Sequence, residues 1–252
     1  MANPPPKTIA FLGASGGCGL AALTASLAAG YRCIALCRTP AKLTGRFPEA
    51  EVPNLAVVSG NAHDAAAVAR CLVVPGDGGR EWVVDAVCFT IGSVFRFARL
   101  ATDDPHVCEA GMRALLEALA AVRKRGDVGA AAAAVKIVAV STNGISRAGW
   151  DFPLVMVPFY RFILRVPHED KKKMEQMLVE SGEQYTVVRP SILVDGASQK
   201  PIRVGIEDWE RGREKEEIGY TISREDTGRW IFENLLRDSR PEYGGKMLSI
   251  TW

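Results

Sequence analysis

Short apolar runs alternate with segments of helical character along the chain. Residues 7–12 form an apolar run that ends at glycines, and residues 31–37 form a second one. Between them, the small residues 17–29 end at Gly30, a residue type that favours the end of a helix. The first 38 residues therefore predict a strand–helix–strand unit of the length that a parallel βαβ crossover requires.

The same alternation continues to the end of the chain. Further strands are predicted at 55–58, 82–89, 135–140, 185–189, 218–222 and 247–250, and helices at 62–72, 103–123, 167–181 and from Ser223 onward. This order predicts an α/β fold with a doubly wound, mostly parallel Rossmann sheet. No composition break marks a linker, so we expect one domain over residues 1–252, with a small C-terminal substrate region built from about 143–170 and 191–220. Ligands of such sheets bind at the carboxyl ends of the strands.

Glycines recur at Gly13, Gly16 and Gly19, directly after the first predicted strand. In a dinucleotide site such glycines make the tight turn, admit the pyrophosphate close to the backbone, and let the helix pack on the strand. The N-terminus of the helix that follows offers free N–H groups and a positive dipole to phosphates. Because the motif lies between a strand and a helix, it predicts a dinucleotide site rather than a structural turn.

Arg38 ends the second predicted strand, where NAD-selective sites usually carry an acidic residue. A guanidinium cannot accept a hydrogen bond from the ribose 2′-hydroxyl, but it can hold a 2′-phosphate through two charge-assisted bonds. Thr39 and Lys42 would add a hydroxyl group and a second charge. These residues predict a preference for NADP(H); the alternative is a solvated arginine in a site that accepts NAD.

Composition is that of an ordinary globular protein, with 48% hydrophobic and 24% charged residues. The net charge of +2 implies neither a nucleic acid nor an acidic membrane as partner. None of the six cysteines forms a CxxC pair, which favours reduced core thiols in a cytoplasmic protein. We see no secretory signal and no apolar run near the ~20 residues that span a bilayer, and the three histidines suggest no metal site.

Candidate catalytic groups do not include the usual Tyr-x-x-x-Lys pair. The residues four positions after the five tyrosines are Ala35, Leu164, Arg189, Arg224 and Met247, none of which is lysine. The remaining candidates are Ser141 and Thr142, which lie beside the expected nicotinamide position. Tyr160 in a pocket-like segment, and His168 and Lys171 in the first turn of the helix after Pro167, are the others. Each also has a simpler structural explanation. The hydroxyls of Ser141 and Thr142 could satisfy backbone groups at the strand end. Tyr160 could be a packed core residue, His168 a solvated residue at a helix start, and Lys171 part of a solvated helix face.

An unusually apolar segment follows the fifth strand of the predicted parallel sheet. Its two prolines, Pro153 and Pro158, disfavour a long helix, and its position suits the wall of an apolar or aromatic pocket. The candidate substrate residues are Trp150, Phe152, Met156, Phe159 and Tyr160, together with Trp209 from the polar segment 195–219. That second segment is long for a loop and is interpreted as the other wall or a mobile lid. The apolar segment could instead be core or an oligomer contact.

Several stretches together resemble the atypical short-chain dehydrogenase/reductases with NAD(P)-binding, NmrA-like character. The matching stretches are 9–20, 30–38, 136–142, Trp150-Asp151, 174–190 and 222–226, and the likeness is closest to the branch that includes biliverdin IXβ reductase/flavin reductase. Asn61 stands where such proteins often carry aspartate, and Lys171 where that branch has histidine.

The resemblance implies a Rossmann domain with NADP(H) as cofactor. It places the loop of Gly13, Ser15, Gly16, Gly17, Cys18 and Gly19 at the pyrophosphate, Arg38 and Thr39 at the 2′-phosphate, and Asn61 and Ala62 at the adenine. It places Thr90, Ile91, Gly92, Ser141, Thr142, Pro190, Ser191 and Ile192 near the ribose and nicotinamide.

The sequence therefore predicts an NADPH-dependent reductase of a small apolar or aromatic substrate with a carbonyl or conjugated group. Two alternatives remain open: a redox-neutral isomerase or cyclase that uses bound NADP(H), and a non-catalytic NADP(H)-sensing regulator. A small-molecule substrate is the expected partner, and the chain is expected to be a monomer or homodimer.

Overall fold

The computed structural model describes residues 7–75, 81–93, 95–96, 101–125, 135–153, 155, 157, 164–238 and 240–252. The candidates Met156, Phe159 and Tyr160 lie outside these ranges.

The strands, numbered along the chain, are β1 (Thr8–Leu12), β2 (Arg32–Cys37), β3 (Leu55–Ser59), β4 (Val73–Pro75), β5 (Glu81–Val83), β6 (Ala86–Phe89), β7 (Phe95–Arg96), β8 (Ala101–Thr102), β9 (Lys136–Val140), β10 (Gln184–Pro190), β11 (Ile192–Val194), β12 (Arg203–Asp208), β13 (Gly212–Lys215), β14 (Thr221–Ser223) and β15 (Lys246–Thr251). The helices are α1 (Gly17–Ala28), α2 (Ala41–Thr44), α3 (Ala65–Leu72), α4 (Val107–Lys124), α5 (Arg165–Glu180) and α6 (Arg224–Ile231). α6 continues as a π-helical turn over Phe232–Arg237, and a 3₁₀ turn covers Pro241–Tyr243.

The main sheet has nine strands in the order β3-β2-β1-β6-β9-β10-β15-β12-β13. The first seven strands of this order are parallel, whereas β12 and β13 are antiparallel to their neighbours. The predicted doubly wound, mostly parallel fold is thus confirmed. The strand order reverses between β1 and β6, so this is the crevice where such sheets bind ligands.

Helices cover both faces of the sheet, which explains why the inner strands are apolar on both sides. Along β1, Ala10 and Leu12 belong to the core beneath α3, α4 and α5, whereas Ile9 and Phe11 belong to the core beneath α1 and α6. The carboxyl ends of β1, β6, β9 and β10 meet at one edge, where the candidate site lies.

The segment predicted as one strand over 82–89 is in fact two strands. β5 pairs with β4 in a separate two-stranded sheet, and only β6 enters the main sheet. The break falls at Asp85, whose carboxylate accepts a hydrogen bond from the Thr8 backbone amide at 2.7 Å. A polar side chain that bonds to the strand beside it explains why the apolar run does not continue as one strand.

The segment 195–219 is not one long loop or lid as predicted, because its central part, residues 203–215, forms the hairpin of β12 and β13. β12 pairs along its length with β15, from Arg203 opposite Thr251 to Asp208 opposite Lys246. Antiparallel edge strands can leave one face in water, so they tolerate the polar sequence that suggested a loop. Val204 and Ile206 pack against the core from this edge.

The six cysteines are all buried free thiols, as the sequence predicts. Burial raises the pKa of the Cys33 and Cys71 thiols to about 12, so these side chains act as small core residues. Among the described residues, no helix has the length and apolar character required to cross a membrane.

Candidate active site

The glycine loop lies at the point where the strand order reverses. A Cβ atom on Gly13, whose φ is +101°, would lie 2.8 Å from the Thr90 carbonyl carbon, and one on Gly19 would overlap the Thr90 hydroxyl oxygen. The loop therefore packs directly on the residue that follows β6, and both positions exclude any larger side chain.

Gly16 differs from these two because a Cβ atom there would meet nothing within 4 Å. Gly16 is the N-cap residue of α1, and no side chain caps that helix start in the described part of the chain. The first N–H groups of α1 therefore have no side-chain acceptor in that part of the chain, and the space beside Gly16 is open. Such a cradle fits a pyrophosphate group, which needs backbone donors and room to approach.

Arg224 is a cation near this loop that the sequence patterns did not single out. Its Cδ atom lies 3.5 Å from the position of a Cβ atom on Gly17, and its guanidinium pairs with Asp195 at 2.7 Å. Arg224 begins α6, which crosses α1 so closely that a Cβ atom on Gly228 would overlap the Cys18 carbonyl oxygen. Only the packing of these two distant helices brings this arginine to the loop.

Arg38, Thr39 and Lys42 follow β2 and are exposed. No hydrogen bond or ion pair joins the Arg38 guanidinium to another described residue, so it is available to an anion. Asn61 is exposed after β3, and its side-chain oxygen accepts a hydrogen bond from the His63 amide at 3.3 Å, whereas Ala62 is buried. The predicted cofactor residues therefore lie at the ends of three neighbouring strands: the glycine loop after β1, Arg38 and its neighbours after β2, and Asn61 with Ala62 after β3.

Lys171 points inward from α5, although its neighbours Lys172 and Lys173 are exposed. Its ammonium group donates to the carbonyl oxygens of Val140 at 2.7 Å and Ile91 at 3.2 Å. It thus joins the ends of β9 and β6, and a Cβ atom on Gly92 would lie 4.0 Å from it. The preceding Asp170 holds α5 in place, because its carboxylate accepts from the first amides of α4 at 2.9 and 2.8 Å.

Buried polar groups collect just after β9. The Ser141 hydroxyl and the side-chain amide of Asn143 are buried and have no hydrogen-bond partner in the described ranges. The Thr142 hydroxyl donates to the Asn143 carbonyl oxygen at 3.1 Å. Leaving such atoms unsatisfied costs about 1–3 kcal/mol each, so this position calls for a polar ligand or water. Asn143 was missed as a site residue, although it directly follows the two predicted hydroxyls.

Pro190, Ser191 and Ile192 lie beside this cluster at the end of β10. The Pro190 carbonyl accepts from the Asn143 amide at 3.1 Å, whereas the Ser191 hydroxyl donates to the Thr251 hydroxyl oxygen at 3.0 Å. These residues therefore offer backbone and apolar surface to the crevice rather than a free hydroxyl.

A cavity of about 400 Å³ opens between the loop after β9 and the start of α5. Trp150 and Phe152 line it, with their rings 5.4 Å apart in an edge-to-face arrangement. The cavity is more polar than predicted, since Gly144, Ser146, Arg147, Gly149, Asp151, Arg165, His168, Glu169 and Lys172 also line it. Trp209 lies under the Arg147 guanidinium, 4.4 Å from ring centre to Cζ, and lines an adjoining cavity of about 540 Å³.

Two titratable groups in the first cavity have strongly shifted pKa values. Burial, assisted by Lys172, lowers the pKa of His168 to about 4, so its ring is neutral at pH 7. Burial raises the pKa of Asp151 to about 6, against the opposing effect of Arg189. His168 is thus buried and neutral rather than a solvated residue at a helix start.

Arg189 lies behind the cavity in a fully buried ion network. It binds Glu175 through two bonds of 3.0 and 2.6 Å and Glu207 through one of 3.1 Å. Burial alone would lower the pKa of Arg189, but the two carboxylates outweigh it and raise that pKa. Glu207 also accepts from the Ser146 hydroxyl at 2.5 Å, so the network anchors the loop that lines the cavity. In the described ranges, no group of three or more His, Cys, Asp or Glu side chains forms a metal site.

Comparison with known proteins identifies the family and the fold. A family model described as NAD(P)H-binding matches residues 13–238. Reductase pytE of Aspergillus terreus is 37% identical over an alignment that covers 100% of both chains. Oxidase pynE of Aspergillus niger is 34% identical over 91% of this chain and 92% of its own. A short-chain dehydrogenase/reductase of Veillonella parvula in complex with NADP shares the fold with a TM-score of 0.69 at 15% identity, covering 98% of this chain and 94% of that one.

Proposed function

The chain belongs to the NAD(P)H-binding family, and from that premise we propose that it is an NADPH-dependent reductase of a small aromatic or conjugated carbonyl compound. One observation carries the proposal. The glycine loop, the unpaired polar side chains of Ser141 and Asn143, and the first cavity all lie at the edge formed by the carboxyl ends of the strands. The predicted resemblance to atypical short-chain dehydrogenase/reductases is confirmed by the family match and the shared fold.

The chain's own residues would hold the dinucleotide along that edge. The amides at the start of α1 and the Arg224 side chain suit the pyrophosphate, because both offer positive charge beside open space. Arg38 suits the 2′-phosphate, since its fork of N–H donors has no partner among the described residues. When bound, the nicotinamide supplies a hydride to the substrate.

The residues at the ends of β6 and β9 would orient the nicotinamide and the substrate. Lys171 holds the two strand ends together, which sets the spacing of the carbonyls of Ile91 and Val140. Ser141 and Asn143 offer a hydroxyl and an amide that have no partner within the described residues. Fixed polar groups of this kind position reactants without reorganising during the reaction.

The first cavity would bind the substrate. Its edge-to-face pair Trp150 and Phe152 suits a planar group. The curated relatives are named a reductase and an oxidase, which supports redox chemistry in this group and leaves the direction to be measured.

Cofactor binding is tested by thermal-shift titration with NADPH, NADP, NADH and NAD. A ligand specific for the folded state adds about 2.7 kcal/mol of stability at a hundredfold excess over its Kd. We expect strong stabilisation by the phosphorylated pair only. Arg38→Asp should weaken NADPH binding by about 10–100-fold and NADH binding little. Arg32→Asp, at the exposed opposite end of β2, is the matched control. Equal losses for both dinucleotides would contradict the assignment of Arg38.

Gly16→Ala separates the cofactor cradle from the fold. The added methyl group meets no protein atom within 4 Å, and φ of −173° suits any residue, so the melting temperature without ligand should not change. The same methyl group occupies the space proposed for the pyrophosphate, so NADPH binding should weaken at least about tenfold, or about 1.4 kcal/mol. Unchanged binding would place the dinucleotide elsewhere.

Turnover is then assayed with NADPH and a panel of quinones, flavins and aldehydes. Oxidation of NADPH supports the reductase. Binding without oxidation of NADPH would favour a regulator, and substrate conversion without net loss of NADPH would favour an isomerase or cyclase.

A further inference from the structure

Asp151 is a buried carboxyl group in the wall of the first cavity. Its side chain lies in the loop between β9 and α5 and is only 6% exposed. One carboxyl oxygen, Oδ1, accepts a hydrogen bond from the Gly144 amide at 2.9 Å. The other, Oδ2, is buried and has no hydrogen-bond partner in the part of the chain that the structure describes. A buried carboxyl oxygen without a partner is stabilised in one of two ways. It either carries a proton and donates it to an acceptor, or it accepts a hydrogen bond from a ligand.

We propose that Asp151 is the general acid of the reduction, and that a rotation of its carboxyl group brings Oδ2, which is buried in this structure, to the substrate oxygen, where it donates its proton. This role rests on the proposed function, because it requires a carbonyl substrate in the first cavity and NADPH as the source of hydride.

The step balances in atoms and electrons. The carbonyl carbon gains a hydride from NADPH, which becomes NADP, and the carbon–oxygen π bond breaks. The substrate oxygen gains the proton of Asp151, so the products are an alcohol and an Asp151 carboxylate. A proton from solvent restores the acid before the next turnover.

The surroundings of Asp151 keep its carboxyl group available in the protonated form. Arg189 is the nearest buried cation, but Glu175 and Glu207 already bind its guanidinium with three hydrogen bonds. Burial is therefore the dominant effect, and it raises the pKa of Asp151 to about 6 with a further contribution from Glu207. Other charged or titratable groups that share a cavity wall with Asp151 are Arg147, Arg165, His168, Glu169 and Lys172 on one side, and Arg213, Lys215, Glu216 and Glu217 on the other.

The other described candidates are weaker acids in this structure. The Thr142 hydroxyl already donates to the Asn143 carbonyl oxygen. His168 has a pKa of about 4, below the pKa of about 6 of Asp151, so near pH 5 the histidine ring has already lost the proton that the Asp151 carboxyl group still carries. Lys171 uses two of its three N–H groups on backbone carbonyls. Asp151 combines burial, an unpartnered oxygen and a place in the cavity wall.

The test compares wild type with Asp151→Asn, which keeps the size of the side chain and an oxygen for the Gly144 amide. With phenanthrenequinone and saturating NADPH, we expect wild-type kcat/KM to fall about tenfold per pH unit above the pKa of Asp151. Asp151→Asn should lower kcat/KM by at least about 10²-fold at acidic pH and remove that dependence. Asp151→Glu should retain the dependence. Asp170→Asn, which changes a buried aspartate bound to α4 instead, should keep it as well.

A second measurement does not require turnover. The pKa of Asp151 is about 6 in the folded state and 3.8 in the unfolded state, so folding favours the protonated carboxyl group. The resulting stability is complete below pH 3.8. This contribution is lost as pH rises through about 6, and an asparagine cannot lose it. Urea unfolding should therefore show Asp151→Asn gaining stability relative to wild type over this interval.

The outcomes separate the two proposals. An unchanged pH profile of kcat/KM in Asp151→Asn, or a stability difference that does not vary with pH, would overturn the role of Asp151 alone. A wild-type protein that does not bind NADPH would overturn the proposed function, and with it the reaction in which Asp151 acts.

Discussion

Three consecutive lysines in the middle of α5 have different surroundings. Lys172 pairs with Glu169 at 3.0 Å and Lys173 with Glu109 at 3.3 Å, both near the surface. Lys171 instead joins the carbonyl oxygens at the ends of β6 and β9. A helix turns by about 100° per residue, so one of three neighbours faces the sheet while the others face solvent.

Lys171→Met should lower kcat/KM by about tenfold to a hundredfold, because the two strand ends lose the donor that sets their spacing. Steady-state kinetics with NADPH measure this effect, and Lys173→Met is the exposed control. A loss as large in the control would point to the net charge of α5 rather than to the bridge.

Arg189 is the largest fully buried side chain of the described residues. Arg189→Met should reduce the free energy of unfolding by about 3–5 kcal/mol, because it leaves two carboxylates buried without their cation. Urea unfolding measures the change. Arg113→Gln removes an exposed pair with Glu109 and should cost less than about 1 kcal/mol. Similar losses in the two variants would show that the buried network adds nothing beyond a surface pair.

The pairing of α1 with α6 links the glycine loop to the C-terminal part of the chain. Gly228 makes their close approach possible, because a Cβ atom there would lie 2.5 Å from the Ala21 Cβ atom. The Ser223 hydroxyl caps α6 by accepting from the Asp226 amide at 2.9 Å, at the residue where the sequence predicts that this helix begins. The capped start of α6 thus places Arg224 beside the loop.

Gly228→Ala should destabilise the protein by about 1–3 kcal/mol, since the neighbouring backbone must move to admit the methyl group. It should also weaken NADPH binding, because the displaced atoms belong to Cys18 in the loop. Thermal unfolding with and without NADPH measures both effects. Gly244→Ala, at an exposed glycine with a φ of −64°, places its Cβ atom 3.3 Å from the Pro241 carbonyl oxygen, so it should cost much less stability and leave NADPH binding unchanged. Destabilisation without weaker binding would show that the loop is independent of α6.

At the scale of the whole molecule, His168 makes stability depend on pH. Its folded-state pKa of about 4 lies below the unfolded value of 6.5, so folding favours the neutral ring. That stability is complete above pH 6.5 and is lost as pH falls toward 4. Asp151 acts in the opposite direction over part of this range, so matched variants are more informative than the wild-type curve.

His168→Gln should flatten the acid loss of stability by roughly 3 kcal/mol at most, because glutamine has no charge to suppress. Urea unfolding midpoints across this range give the comparison. His106→Gln replaces an exposed histidine and should leave the curve unchanged. A curve of His168→Gln that parallels the wild type would show that folding does not lower the pKa of this ring.

Predictions of position agree with the structure where a few residues that are neighbours in sequence determine the local conformation. Gly13, Gly16 and Gly19 lie where the strand–helix context placed them, and Trp150 and Phe152 share one cavity. The prediction of a long loop over 195–219 was wrong because a polar sequence suits both a loop and an edge strand, and only a pairing partner distinguishes them. Arg224 and Asn143 were missed because neither belongs to a motif.

The sequence by itself determined the order of the parallel strands of the main sheet and of the longer helices, the glycine turn, and the place of Arg38 after β2. These features follow from periodicity and backbone preference, which act between near neighbours. Only the tertiary structure decided that Lys171 turns inward and that Arg189 joins Glu175 and Glu207. It also decided that Asp151 is buried beside a cavity. Burial and charge pairing depend on groups brought together from distant parts of the chain, so no local pattern carries them.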